Sequence, residues 1–308
     1  MEYDAKIYIA GHRGLVGSSL LRKLNSLGYT NLVYLSSSIL DLRNKKDVDD
    51  FFQTVRPDYV FLSAAKVGGI VFNQQNQGSL LYDNLQIQNN VIDAAYRNNT
   101  KKFMFMGSVC VYPRECPQPI LEEHLMTGPL EPTNEAYALS KIVGLKMARM
   151  YSEQYGFNSI SIMPANLYGI NDNFDPVNSH VIPGMIRKFI DAKNSNADAV
   201  TLFGDGSPTR EFLYVDDLAE ACIKLMNEYD SPDHINIGSG DEWSIKDIAD
   251  KIVQTVGYKG EILWDTTKPN GAPRRKLNIS KILNLGWQPT ISLDEGLKRT
   301  VEWYESQT

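Results

Sequence analysis

Tyr137 and Lys141 stand four residues apart in "EAYALSKIVGLKMARMYSEQYG", a stretch whose pattern predicts a helix. On a helix that spacing puts both side chains on one face. The lysine's charge there lowers the cost of a tyrosine phenolate, so the phenol can give its proton to an oxygen created when hydride reaches a carbonyl. Ser108, in "GSVCVYP", can hydrogen-bond that same oxygen. Two residues further on, Cys110 offers a thiol whose ordinary explanation, taken alone, is packing.

Carbonyl reduction needs a hydride carrier. "IYIAGHRGLVG" supplies Gly11, Gly14 and Gly17 between a predicted strand and a predicted helix, with Arg13, Leu15 and Val16 filling the loop. Gly11 permits the tight turn, Gly14 lets the main chain approach a phosphate, and Gly17 relieves crowding where the helix starts to pack. The open N–H groups of that helix then meet a pyrophosphate. The second strand ends in "LVYLSSSILDL", where Ser36, Ser37 and Ser38 offer donors and no acid repels a 2′-phosphate. With Arg13 within reach of the same phosphate, NADPH/NADP+ is favoured over NADH.

The elements that must hold these groups are legible as alternating strand and helix signals. "AKIYIAG", "LVYL", "DYVFLSAA", "KKFMFMGS" and "SISIMPANLYG" read as strands, and helical patterns fall between them. This predicts an α/β chain: a Rossmann-type doubly wound parallel sheet with a smaller, mixed α/β substrate-binding domain. Residues 1–165 form the expected NADP-binding domain, rejoined by parts of 212–240, and 166–308 mainly the substrate-binding domain. The first predicted helix after that boundary is "MIRKFIDAK", and "TLFGDGSPTREFLYVDD" reads as strand, turn and strand.

Composition bounds the partners. A chain of 308 residues, 43% hydrophobic, can bury a large core, and a net charge of −6 provides no field for a nucleic-acid backbone. No apolar run approaches membrane length, and the start of the chain has no secretory pattern. Its three cysteines, Cys110, Cys116 and Cys222, are odd in number and lack Cys-x-x-Cys spacing, which points to a reducing, cytoplasmic setting. His12, His124, His180 and His234 show no metal-ligand spacing, so no metal is expected.

The order of glycine loop, strand-end serine and Tyr/Lys helix resembles that of the short-chain dehydrogenase/reductase superfamily. Within its extended branch the chain is most similar to the GDP-L-fucose synthase family, through "IAGHRGLVGS", "AAKVGGI", "GSVCVYP", "LEPTNEAYALSK", "PANLYGINDNFDPVNSHVIP", "REFLYVDD" and "HINIGSG". The resemblance implies 3,5-epimerisation and NADPH-dependent 4-reduction of GDP-4-keto-6-deoxy-D-mannose, carried out by a homodimer. It implies catalytic roles for Ser108, Tyr137 and Lys141, and makes Cys110 and His180 the acid/base pair of epimerisation. Asn166 and His180 would join Tyr137 and Lys141 at the cofactor, and Asn166, Lys188, Phe203, Arg210 and Arg275 would contact the GDP-sugar. Three positions depart from the family pattern: Ser37 and Lys188 replace arginine, and Phe203 replaces tryptophan. The first would weaken the hold on a 2′-phosphate; the second loses a bidentate fork. Another NAD(P)-dependent nucleotide-sugar epimerase or dehydratase is the alternative enzyme, and a cofactor-bound interaction protein the noncatalytic one.

Overall fold

The computed structural model describes residues 1–176, 178–268 and 270–307, so Val177 of "NDNFDPVNSHVIP" and Pro269 of "KPNGAPRRKLN" lie outside the described residues. The first half of the chain runs β1 (Ile7–Ala10), α1 (Leu15–Ser26), β2 (Leu32–Val33), α2 (Lys45–Val55), β3 (Tyr59–Leu62), α3 (Ile70–Gln75), α4 (Gln77–Arg97), β4 (Lys102–Met106), α5 (Glu135–Tyr155) and β5 (Ser159–Pro164). Strands β1, β3, β4 and β5 are buried along their whole length, as near-continuous apolar runs in a sheet covered on both faces require.

The second half adds β6 (Asn166–Tyr168), α6 (Val181–Asn194), β7 (Ala199–Phe203), β8 (Thr209–Arg210), β9 (Phe212–Tyr214), α7 (Val215–Glu228), β10 (Ile235–Ile237), β11 (Trp243–Ser244), α8 (Ile245–Val256), β12 (Glu261–Asp265), β13 (Arg274–Arg275), α9 (Ser280–Asn284) and α10 (Leu293–Gln307). Among the described residues the main sheet is parallel and six-stranded, in the order β10-β5-β4-β3-β1-β2. The chain leaves β1 for β2 on one side and then builds β3, β4 and β5 on the other. That reversal opens a crevice at the carboxyl ends of β1 and β3, where open α/β sheets bind ligands.

Local chemistry explains the punctuation. Asn44 caps α2 by accepting from the backbone N–H groups of Lys46 at 3.1 Å and Asp47 at 3.5 Å. Ser244 and Asp247 form a reciprocal capping box at the start of α8. Gly156 ends α5 at φ +67°, a left-handed turn that favours glycine.

One apolar core surrounds the main sheet and takes in α7 through Leu218, Cys222 and Leu225, with β10 at its edge. Leu277, Ile282 and Trp287 also pack into it, from a stretch that the linear reading placed beyond it. A second core, built on Phe189, Leu202, Phe212, Ile252 and Leu297, lies under the small sheets β11-β8-β13, β12-β7 and β6-β9. The stretch read as one strand through "TREFLYVDD" divides at Glu211: β8 belongs to one small sheet and β9 to another. "SISIMPANLYG" likewise divides at Ala165, whose N–H turns to the Ile237 carbonyl at 2.8 Å. No helix among the described residues is long and apolar enough to cross a membrane.

Candidate active site

The glycine loop closes on itself through the Gly14 N–H, which donates to the Gly11 carbonyl at 3.0 Å. Gly11 sits at φ +89°, and a Cβ there would stand 2.8 Å from the Ala64 backbone that follows β3. A Cβ on Gly17 would meet the Gly11 carbonyl oxygen at 2.1 Å. Both glycines are therefore dictated by close backbone approach, the condition a pyrophosphate cradle imposes. Gly14 caps α1 without a side-chain hydrogen bond, which leaves the first N–H groups of the helix for an anion. Leu15 and Val16 open that helix half-buried, and Arg13 projects from the loop exposed. These residues fit a dinucleotide.

At the end of β2 the serines diverge. Ser36 is buried, with its hydroxyl paired to that of Ser38 at 2.8 Å, while Ser37 is exposed. Of the two serines assigned to the cofactor, Ser37 faces solvent and Ser36 is committed to its own turn, since its carbonyl also accepts the N–H groups of Ile39 and Leu40.

Four candidate catalytic residues converge at the carboxyl end of β4. Ser108 follows that strand and caps the helical turn Val109–Val111, its hydroxyl oxygen accepting the Cys110 N–H at 3.3 Å. The cap uses a lone pair and leaves the Ser108 O–H free to donate. Tyr137 and Lys141 lie on the buried face of α5, 9% and 5% exposed. Burial pushes the Tyr137 phenol above its ordinary range and the charge of Cys110 adds to this, while interaction with the Ser108 hydroxyl pulls it back. Tyr137 thus interacts with the Ser108 hydroxyl and lies within electrostatic range of Cys110. Burial drops Lys141 to about 8. Its Nζ donates to the Met106 carbonyl at 2.7 Å and lies 5.1 Å from the centre of the Phe105 ring.

His180 comes from the other lobe, as the residue before α6, and its side chain makes no cap hydrogen bond. The loop that carries it is moored to the first lobe: the Gly69 N–H donates to the Asn178 carbonyl at 3.0 Å. Gly69 lies in the segment after β3, so His180 is held at the carboxyl end of the sheet. Its surface is exposed, yet desolvation lowers its pKa. Solvent access combined with dense surrounding protein is the signature of a side chain in a cleft.

Beyond the catalytic cluster, β8 and β13 run parallel with Arg210 opposite Arg275. Arg275 is buried and donates to the carbonyls of Tyr112 and Pro113 at 3.2 and 2.8 Å, on the loop just past Cys110. Desolvation, and then repulsion from Arg275, lowers Arg210 to about 10, so it stays charged at neutral pH. Neither guanidinium has a carboxylate at ion-pair distance among the described residues; Arg210 donates to the Thr209 carbonyl at 2.7 Å. Two adjacent cations, Arg275 buried and Arg210 half-buried, with no carboxylate at ion-pair distance among the described residues, suit an anionic ligand. Asn166, at the start of β6, directs its amide N–H to the Glu211 carbonyl at 2.9 Å.

Further out, Phe203 exposes 59% of its surface at the end of β7, with Lys188 Nζ 5.1 Å and Lys268 Nζ 6.0 Å from its ring centre. An exposed aromatic face between two ammonium groups suits a flat, anion-bearing ligand. The sequence reading missed Lys268, although "KPNG" is a turn signal that would place it on a loop. It also missed Asp172, raised to about 7 by burial, with one carboxylate oxygen lacking a partner among the described residues. Nothing in the local pattern marks that aspartate.

A model of the NAD dependent epimerase/dehydratase family matches residues 7–238. Among curated proteins, "Putative GDP-L-fucose synthase 2" of Arabidopsis thaliana is 54% identical over 304 residues, covering 99% of this chain and 93% of its own. Among solved structures, a GDP-L-fucose synthetase from Naegleria fowleri bound to NADP superposes with a TM-score of 0.91 at 30% identity, covering 100% of this chain and 96% of that one. MlghC, a GDP-mannoheptose C4 reductase from Campylobacter jejuni with NADP bound, gives a TM-score of 0.92 at 37% identity, with 99% of each chain covered.

Proposed function

The chain belongs to the NAD dependent epimerase/dehydratase family, and from that membership we propose that it turns GDP-4-keto-6-deoxy-D-mannose into GDP-L-fucose by 3,5-epimerisation and NADPH-dependent 4-reduction. The observation that carries this reading is that the turn holding Cys110 packs against α5, which bears Tyr137, with Ser108 between strand end and thiol. A reductase needs the phenol; a carbon acid two bonds from the ketone oxygen needs a proton acceptor such as the thiol as well.

The chemistry follows from one oxygen. Donors from Ser108 and Tyr137 polarise the C4 carbonyl, which acidifies the protons on C3 and C5. Cys110 and His180, arriving from separate lobes, remove a proton from one face of each carbon and supply one to the opposite face through an enolate. The proton count at each carbon is unchanged while its configuration inverts. The glycine loop would hold NADPH, which would supply the hydride for C4. Tyr137 then gives its proton to the C4 oxygen, and the Lys141 ammonium beside it stabilises the phenolate left behind.

Binding is divided in the same way. We assign Gly11, Arg13, Gly14, Leu15, Val16, Gly17, Ser36, Ser37, Tyr137, Lys141, Asn166 and His180 to the cofactor. Arg210 and Arg275 take the diphosphate, Asn166 the sugar side, and Phe203 with Lys188 the guanine side. Binding these remote parts positions the reactive carbons. On this division the first lobe, residues 1–165 with returning parts of 212–240, serves the cofactor, and 166–308 mainly the nucleotide sugar. Tyr82 on α4 and Leu139, Val143 and Met150 on α5 stay exposed, an apolar face that suits pairing with a second copy. Three free thiols fit a cytoplasmic setting.

A second reading, reduction at C4 without epimerisation, is favoured by the likeness to the GDP-mannoheptose C4 reductase. Product analysis separates the two: purified protein with the ketosugar and NADPH should yield GDP-L-fucose, whereas a C4-reduced sugar of unchanged C3 and C5 configuration would establish the second reading.

A further inference from the structure

Glu211 stands between β8 and β9, where the chain passes from one small sheet to another, and is fully buried. Among the described residues its carboxylate has no cation at ion-pair distance. One oxygen accepts the Gly240 N–H at 2.7 Å and the other the Leu277 N–H at 2.8 Å. Its backbone N–H donates to the Arg275 carbonyl at 3.1 Å. Its carbonyl accepts both the backbone N–H of Asn166 at 3.2 Å and the side-chain amide at 2.9 Å. One residue therefore ties together the start of β6, the turn after β10 and the exit of β13, and it directly follows Arg210.

A buried carboxylate is a costly way to fill a core, and an apolar side chain would do so more cheaply. What it offers is direction: charge-assisted bonds to two backbone N–H groups fix two strand exits at once. The surrounding chain leaves room for nothing else, since a Cβ on Gly238 would fall 2.2 Å from the carboxylate oxygen. Gly240 and Leu277 adjoin elements of the large core, whereas Arg210, Arg275 and Asn166 are the proposed substrate contacts.

We infer that Glu211 is a positioning residue for the nucleotide-sugar site: it fastens the strands bearing Arg210 and Arg275, and the amide of Asn166, to the lobe that carries Ser108 and Tyr137. Buried, it acts on the substrate only through those three residues. This rests on the nucleotide-sugar reading above.

The test compares wild type with Glu211→Gln, which keeps the volume and loses one acceptor, and with Glu211→Asp, which keeps the charge and loses reach. GDP and NADP+ affinities are measured by calorimetry, and amide hydrogen exchange at Gly240 and Leu277 is followed in the same proteins. The expected result is a roughly tenfold loss of GDP affinity, NADP+ affinity within about twofold of wild type, and faster exchange at both amides. Unchanged GDP affinity in both variants, or a parallel loss of GDP and NADP+ binding in both, overturns the inference. Wild type that binds no GDP would overturn the nucleotide-sugar reading itself, and this inference with it. The two failures differ because in the first the wild type binds and the variants match it.

Discussion

Lys141 Nζ lies 5.8 Å from the centre of the Tyr137 ring, and its own hydrogen bond goes to the Met106 carbonyl rather than to the phenol. The ammonium therefore acts on Tyr137 through space, as a charge held in a desolvated place. Burial and the charge of Cys110 raise the phenol and the Ser108 hydroxyl pulls it back; a nearby ammonium favours the phenolate. The pair is thus set to lend a proton to a substrate oxygen and take the phenolate charge back into the protein.

Removing the phenol hydroxyl isolates reduction. Tyr137→Phe should lower the rate of NADPH oxidation with the ketosugar by about 10²–10⁴-fold, the usual worth of a positioned acid. Solvent deuterium exchange into the substrate should continue at a reduced rate through Ser108 and Cys110. Reduction at the wild-type rate would remove Tyr137 from the mechanism.

Lys141 makes a prediction about stability as well as rate. Its folded pKa, about 8, lies below the ordinary 10.5, so between those values the unfolded chain holds a proton that the native protein has lost. Stability attributable to this group therefore rises as pH increases from about 8 to 10.5, and below 8 the folded protein carries the whole desolvation cost. Lys141→Met should abolish most turnover yet leave the cofactor-free protein at least as stable as wild type at pH 7, the difference shrinking towards pH 10. Urea unfolding of both proteins across that range checks the sign. A methionine variant less stable at pH 7 would contradict the assignment.

The open position at Ser37 predicts a gain. Ser37 and Arg13 are both exposed, and on the proposed assignment a serine there leaves the 2′-phosphate short of a bidentate partner. Ser37→Arg should strengthen NADPH binding relative to NADH by about tenfold. The ratio of the two dissociation constants, measured by fluorescence titration, reads this directly; an unchanged ratio would place the 2′-phosphate elsewhere.

The parts of this account that were legible in the sequence are local ones. Gly11 and Gly17 announce themselves because a side chain there would collide with backbone, and Tyr137 with Lys141 because four-residue spacing survives intact on a helix. The alternation of apolar runs gave the parallel sheet for the same reason. Glu211 was invisible: a charged residue within an apparent strand reads as a solvated position, and only the switch between sheets buries it. Arg275 was expected at the substrate only through the resemblance; nothing in the sequence shows the strand pairing that carries it inward beside Arg210. Lys268 meets Phe203 only through the fold, from 65 residues away in sequence, as the numbering shows. Ser36 and Ser37 are adjacent, and which of them faces solvent depended on a turn that three serines in a row do not specify.

The most direct measurement of the central claim is turnover of GDP-4-keto-6-deoxy-D-mannose with NADPH in deuterated water, with the product resolved by NMR. A single site that epimerises and reduces around one oxygen predicts GDP-L-fucose carrying solvent deuterium at both C3 and C5. A reduced product with protium at those carbons and the starting configuration would contradict it.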